Sequence, residues 1–162
     1  MNLKHLKEPF VILLIGHPLC GKTTWIKSNF GDNVEVVSRD QIVLDVYGSD
    51  NYTEAFQKVN QKEVDRVLYK TMRDANDEEK NVIIDMTHMT SKRRIHNLSF
   101  FDDSYYKLAV IFPILSEEEY EKRNAKRNAE ENKNIPMHVV KRMISQYQAI
   151  GHSEGFNKVI SL

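Results

Sequence analysis

The stretch Gly16-His17-Pro18-Leu19-Cys20-Gly21-Lys22-Thr23 restricts what this chain can fold into more than any other. It follows a run, residues 10–15, that is wholly apolar and short enough to be a strand buried on both faces of a parallel sheet. A glycine-bounded loop between such a strand and a helix opening near Lys22 aims several backbone N–H groups and a helix N-terminus at one point. Polyphosphate oxygens can be held there. Lys22 adds a mobile positive charge, and the Thr23 hydroxyl is placed to ligate the Mg²⁺ that travels with a nucleoside triphosphate. The bland alternative is a glycine-rich turn that binds nothing. Leu19 and Cys20 stand where many such loops carry small residues, so the loop is expected to give them backbone angles that a side chain tolerates.

A chain of 162 residues is one domain's worth, and no second domain is expected. With 23 basic residues against 23 acidic ones, no global field attracts nucleic acid, and any polyanion site must be a local patch. Cys20 is the only cysteine, which excludes a disulfide within the chain and a thiolate-built zinc cluster and suits a reducing, cytoplasmic location. It reads as a small residue filling the loop. Lys4 and Lys7 precede an apolar run of about six residues that ends in the loop, too short for a signal peptide or a membrane span. The six histidines lack metal-ligand spacing, and none is assigned to a metal.

Along the chain, the pattern predicts a helix over 22–30, stopped by Gly31-Asp32-Asn33, and a strand over 34–38. Arg39-Asp40 follows at that strand's carboxyl end, where ligands of open α/β sheets gather. Asp40 is either a catalytic carboxylate on the loop's own rim or the N-cap of a helix over 41–47. Residues 53–73 carry Phe56, Val59, Val67, Leu68 and Met72 at loosely helical spacing and predict one long helix, ended by the polar run 74–80. A strand over 81–85 closes on Asp85, the candidate to hold Mg²⁺ or to bond the Thr23 hydroxyl, with a capping carboxylate as its plainer alternative. His88 just beyond is expected on the surface. A helix over 91–101 begins with Lys92, Arg93 and Arg94, a placement that opposes the macrodipole, so these residues are expected on a solvated face, with a waiting anion as the alternative. Residues 107–112 predict a fourth strand, ended by Pro113.

Ser116-Glu117-Glu118-Glu119 has the form of a capping box, and the helix it opens continues through Arg127. Arg123 and Arg127, four apart, share one face. Beyond Tyr120, Ala125 and Ala129 that helix has little to bury, so packing holds it weakly. Beside a phosphate site, such a helix over about 116–134 fits a lid that swings in, excludes water and places guanidinium groups on a phosphoryl in transfer. An ordinary charged surface helix is the alternative. Pro136 starts a helix with Val140, Met143, Ile144 and Tyr147 on one side and Gly151 at its close, and 156–160 predict a last strand. If the phosphoryl acceptor is an alcohol, a carboxylate should sit across from the γ-phosphate to orient it and take its proton. Asp40 fits by position.

The loop GHPLCGKTTW, the Arg39-Asp40 pair, Asp85-Met86-Thr87-His88, the lid run Lys122-Arg123-Asn124-Ala125-Lys126-Arg127, Phe112-Pro113 and Ile135-Pro136 together resemble the kinase domain of polynucleotide 5′-hydroxyl kinases of the phage end-healing type. The resemblance spans nearly the whole chain in the right order. It implies an α/β P-loop kinase, a three-layer sandwich around a parallel five-stranded sheet ordered 2-3-1-4-5. It further implies ATP or another nucleoside triphosphate cradled by Gly16, His17, Pro18, Leu19, Cys20, Gly21, Lys22, Thr23 and Thr24. Mg²⁺ would sit at Thr23 and Asp85, Asp40 would be the general base, and Arg127, with Arg123 supporting, would stabilise the transition state. The implied partner is a nucleic-acid substrate, without a membrane.

Two departures stand out. Phage members carry an arginine three positions after the catalytic Asp, where it contacts the acceptor's phosphate, and here that position is Val43. The Asp-x-Asp-x-Thr motif of an accompanying phosphatase is missing, Asp102-Asp103-Ser104 having the wrong spacing, so a stand-alone kinase is expected. Kinases acting on a hydroxymethylated base such as 5-hydroxymethyluracil in DNA, or on a nucleoside or small metabolite, stand beside this expectation. So does a nucleotide-binding module without catalysis.

Overall fold

The structure, a computed structural model, describes residues 6–31, 34–131 and 133–162. Lys4, Asp32 and Asn33, and Asn132 of the expected lid, lie outside the described residues. In chain order the elements are β1 (Phe10–Ile15), α1 (Lys22–Asn29), β2 (Glu35–Ser38), α2 (Arg39–Tyr47), α3 (Tyr52–Lys58), α4 (Gln61–Asp77), β3 (Val82–Asp85), α5 (Ser91–Leu98), β4 (Tyr106–Ile111), α6 (Glu117–Glu131), α7 (Met137–Ser145), a 3-10 turn (His152–Glu154) and β5 (Lys158–Ser161).

The strands form one parallel sheet in the order β2-β3-β1-β4-β5, as the resemblance implies. Every residue of β1 is buried, because β1 is central and covered on both faces. Val11 and Leu13 pack into one apolar layer with Val43, Val64, Leu68 and Met72 from α2 and α4. Phe10, Ile12 and Leu14 pack into the opposite layer with Ile26 of α1, Leu108 and Phe112. The period-2 alternation of a strand thus supplies both cores from six consecutive apolar residues. Register does the positioning. Ser38 is paired with Asp85, and Leu13 with Ile84 and Ala109, so the loops that leave β1, β2 and β3 emerge along one edge of the sheet.

The single helix expected over 53–73 is two. Val59 takes an extended backbone (φ −64°, ψ 146°), and the Asn60 side chain accepts from Lys62 N–H at 3.1 Å, capping α4. An amide that can satisfy an orphan helix N–H competes with continued helix, which hydrophobic spacing alone does not register. The buried stripe of α4 is Val64, Leu68, Met72 and Ala75, whereas Phe56 of α3 is exposed.

Arg94 corrects another expectation. Lys92 and Arg93 are exposed, but Arg94 is wholly buried in a two-pronged bond to Glu154, Nε to Oε2 at 2.6 Å and Nη2 to Oε1 at 2.7 Å. Its remaining donors reach the carbonyls of His88, Met89, Gln148 and Ala149. The planar fork of five donors explains why an arginine is tolerated there: each N–H finds an oxygen, and the charge finds a carboxylate. The helix that follows Pro136 ends at Ser145, capped by Gln146, so Gly151 lies beyond its close and precedes the 3-10 turn instead.

Candidate active site

The loop between β1 and α1 is held in a tight frame. Gly16 donates to Thr87 O at 3.1 Å, and a Cβ on Gly16 would stand 2.6 Å from Cys20 Sγ and 2.9 Å from Phe112 Cβ, so only glycine fits. Cys20 is buried and fills that space, as a small loop residue should. Leu19 does not keep the angles expected of it: its φ is +67°, followed by Gly21 at +106°. Left-handed residues at 19 and 21 turn consecutive N–H groups toward one centre, the concavity that binds anions. Holding a non-glycine residue there costs about 1 kcal/mol, which the surrounding bonds must offset. One of these is the Arg123 guanidinium, whose Nη1 donates to Leu19 O at 3.0 Å.

Lys22 folds over the loop, its ammonium donating to the carbonyls of Gly16 and His17, each at 3.0 Å. Gly21 caps α1 without a side-chain bond, which leaves the first-turn N–H groups, up to that of Thr24, available to an anion. Thr23 Oγ1 lies 3.5 Å from Asp85 Oδ2, at the end of β3. Burial raises the Asp85 carboxyl above its usual range, Lys22 pulls it down, and the charge of Asp40 pushes it up again. A hydroxyl and a carboxylate so close are hard oxygen donors suited to Mg²⁺.

Asp40 is not a helix cap. Ser38 takes that place, its Oγ accepting from Gln41 N–H at 3.4 Å, and Asp40 sits in the first turn of α2. Its carboxylate is bonded at both oxygens, Oδ1 by the Tyr52 hydroxyl at 2.8 Å and Oδ2 by the Lys133 ammonium, which also lies 3.6 Å from the centre of the Tyr52 ring. Burial works to raise the Asp40 carboxyl, but the Lys133 charge and bond, the Tyr52 bond and the charge of Arg127 outweigh it and hold it low. Burial and the Asp40 charge push the Tyr52 phenol well above its ordinary range, so it remains a donor. Arg39, in contrast, turns away to Gln61 and Asp65 on α4. Val43, where a phage-type arginine would stand, is buried in the core beneath α2 and takes no part in the cleft.

Helix α6 crosses this edge. Ser116 Oγ accepts from Glu119 N–H at 3.2 Å, but the Glu119 carboxylate bonds Arg123 Nε at 2.6 Å. Only half of the expected capping box therefore forms among the described residues, because a charged guanidinium outcompetes a backbone N–H. Tyr120 alone is buried on α6, its hydroxyl donating to Ile135 O at 2.8 Å, while Ala125 and Ala129 are exposed. Arg127 Nε and Nη2 are buried and have no hydrogen-bond partner among the described residues. Guanidinium donors left in that state are costly and call for an anion.

Lys22, Thr23, Asp40, Asp85, Arg123 and Arg127 all line one open cleft of about 2480 Å³. The unpartnered Arg127 nitrogens, the uncapped start of α1 and the Thr23–Asp85 oxygens fit a triphosphate with its metal ion.

Sequence reasoning missed two members of this constellation: Tyr52 and Lys133 hold Asp40 from distant elements, and no local pattern marks them, although Lys133 falls within the expected lid. His17, expected only in the phosphate cradle, also reaches the chain beyond β4. It is buried, its Nε2 accepts from Leu115 N–H at 3.1 Å, and its Nδ1 donates to Pro18 O at 2.7 Å. Since Leu115 N–H can only donate, the ring is the neutral Nδ1–H tautomer, and burial lowers its affinity for a second proton. It joins the phosphate loop to the chain entering α6. His88 is likewise buried rather than at the surface, its Nδ1 bonded to Leu14 O at 2.8 Å and its Nε2 to Asn97 Nδ2 at 2.9 Å.

Comparison with known proteins gives one family and several solved structures of one fold. A family model described as AAA domain (AAA_33) matches residues 11–150. Among solved structures, a chain of the Pnkp1/Rnl/Hen1 RNA repair complex superposes with a TM-score of 0.69 at 22% identity over 90% of this chain. This chain spans 46% of that one's length. A fungal RNA kinase aligns at a TM-score of 0.56 and 22% identity, covering 94% of this chain and 73% of its own. Shikimate kinase from Aquifex aeolicus vf5 aligns at 0.53 and 16% identity, covering 94% of this chain and 86% of its own. These likenesses place the chain in the fold shared by P-loop kinases. Among the described residues, no helix is long and apolar enough to cross a membrane.

Proposed function

The chain belongs to the AAA domain family AAA_33, and from that premise we propose that it is an ATP-dependent polynucleotide 5′-hydroxyl kinase. In this reading residues 1–162 form one kinase domain and α6 with its tail, about 116–134, is the lid. The observation that carries it is a single carboxylate: Asp40, held ionised, shares the cleft with Lys22, Thr23 and the unpartnered Arg127. The RNA repair complex and the fungal RNA kinase among the structural neighbours favour a nucleic-acid acceptor. The zero net charge favours a small one, as does the shikimate kinase neighbour, so a metabolite or modified-base kinase is the second reading.

The residues divide the work. The loop N–H groups and Lys22, once it leaves the Gly16 and His17 carbonyls, hold the β- and γ-phosphates. Mg²⁺ bound through Thr23 and Asp85 would neutralise charge on those oxygens. Asp40 orients the acceptor hydroxyl, which takes the place of the Lys133 ammonium, and accepts its proton as the new P–O bond forms and the bond to the β-phosphate oxygen breaks. The Tyr52 bond and the Arg127 charge, which remain when Lys133 is displaced, favour the ionised, accepting form of Asp40. Arg127 donates its free N–H groups to the phosphoryl oxygens, where charge is spread in the loose transition state, and Arg123 keeps the lid on the loop.

The test offers γ-labelled ATP and Mg²⁺ with a 5′-hydroxyl oligonucleotide, a hydroxymethyluracil duplex and a panel of nucleosides and small alcohols. Label on the oligonucleotide alone is expected, and label confined to another acceptor would replace this reading by the second one. Asp40→Asn should lower transfer by at least a thousandfold while ATP affinity changes less than about threefold. A parallel loss of ATP binding would mean that Asp40 serves the nucleotide and not the acceptor.

A further inference from the structure

Neither Val43 nor Arg39 is placed to hold the acceptor: Val43 lies in the core, and Arg39 is engaged with α4. What does face the cleft beside Asp40 is a pair of aromatic rings. Tyr52 and Phe56 lie four apart on α3 and therefore on one face. Their ring centroids are 5.8 Å apart and their planes 28° apart, a stacked pair. Tyr52 is fixed at its hydroxyl by Asp40 and covered by Lys133, whereas Phe56 remains 47% exposed and lines the cleft. Gln61 braces the end of α3, its Nε2 donating to Phe56 O at 3.1 Å while its Oε1 accepts from Arg39 at 2.7 Å. The platform is thus built on a braced helix end with one π-face left open.

We propose that Tyr52 and Phe56 form a stacking platform for the terminal nucleobase of a single-stranded acceptor whose 5′-hydroxyl rests on Asp40. The inference deepens the kinase assignment above and rests on it. Two contacts and the chemistry of an aromatic face support it. The platform starts at the general base itself, since the Tyr52 hydroxyl donates to Asp40 and the Phe56 ring stacks next to Tyr52. An aromatic face accepts any base without reading its edge, which suits an enzyme that takes chain ends of any sequence. A small polyhydroxylated acceptor would leave Phe56 wet and gain nothing from it. Lys133, on the covered side, supplies positive charge that draws a phosphodiester chain toward the stack.

The experiment compares two 5′-hydroxyl oligonucleotides that differ only in whether the first nucleotide carries a base or is abasic, with wild type, Phe56→Ala and Phe56→Trp. Wild type should prefer the base-bearing end in kcat/KM by roughly tenfold, the range expected for one stacked base. In Phe56→Ala that preference should fall toward unity through a rise in acceptor KM at unchanged kcat, and Phe56→Trp should restore it. Thermal melting checks that the variants fold, which the exposure of Phe56 favours. Equal use of the two ends by wild type, or a preference that survives Phe56→Ala, would overturn the platform and leave the kinase assignment standing. Transfer to neither end by wild type, with label going to another acceptor, would overturn both.

Discussion

At the scale of single residues, the buried histidine and ion pair behind the site make stability sensitive to acid. His88 is bonded at both ring nitrogens as a neutral donor and acceptor, and burial lowers its pKa from 6.5 to about 4, the nearby cations Lys22, Arg93 and Arg94 adding to the effect. Between those values the unfolded chain binds a proton that the folded one refuses. Stability should therefore fall as pH drops from about 6.5 toward 4, by roughly 3 kcal/mol in total. Below that window Glu154 adds to the loss. Its pKa is lowered, first by the bond from Arg94, so the stability it contributes is present above its ordinary value and lost as pH falls through the folded one. Denaturant midpoints measured from pH 7 to 4 check this. His88→Asn should be less stable throughout and less steep between pH 6.5 and 4.5, the slope that remains coming from His17, whose pKa burial also lowers. A variant as steep as wild type would mean that His88 is already protonated in the fold.

At the scale of elements, three of the ties on α6 and the chain beyond it serve different ends. Tyr120 anchors it to Ile135, Arg123 ties it to the phosphate loop at Leu19, and Lys133 beyond its end closes on Asp40. Arg127, between these ties, is the member with buried nitrogens lacking a partner. A side chain kept unsatisfied at rest gains most when charge develops on the phosphoryl group, so its interaction belongs to the transition state. Arg127→Ala should thus lower kcat by about a hundredfold or more, with acceptor KM changed less than threefold. A rise in KM at constant kcat would instead assign Arg127 to ground-state binding. The helix itself was legible from Ser116 onward as charged and weakly packed. That α3 and α4 are separate was not, because the break depends on the Asn60 amide rather than on any lapse in apolar spacing.

At the scale of the whole molecule, zero net charge means that an acceptor strand is drawn in by a local group of cations and not by the protein's overall field. If one or two phosphates are contacted, acceptor KM should rise only about 3- to 7-fold between 50 and 200 mM salt. A rise beyond about a hundredfold would reveal an extended basic track. The apolar layers on both faces of β1 and the placement of Lys22, Asp40 and Asp85 on one edge were foreseeable from where short apolar runs stop along the chain, since a parallel sheet aligns those stops. The strand order was implied only by the family resemblance. The left-handed turn at Leu19, the burial of Arg94 against Glu154 and the clasp of Tyr52 and Lys133 on Asp40 were not foreseeable. Periodicity and motif spacing determined which residues reach the phosphate edge, since they are properties of neighbours in the chain. Only the folded arrangement decided what each charge there is paired with, since those partners lie 12, 60 and 93 residues away and are selected by packing that no local pattern records.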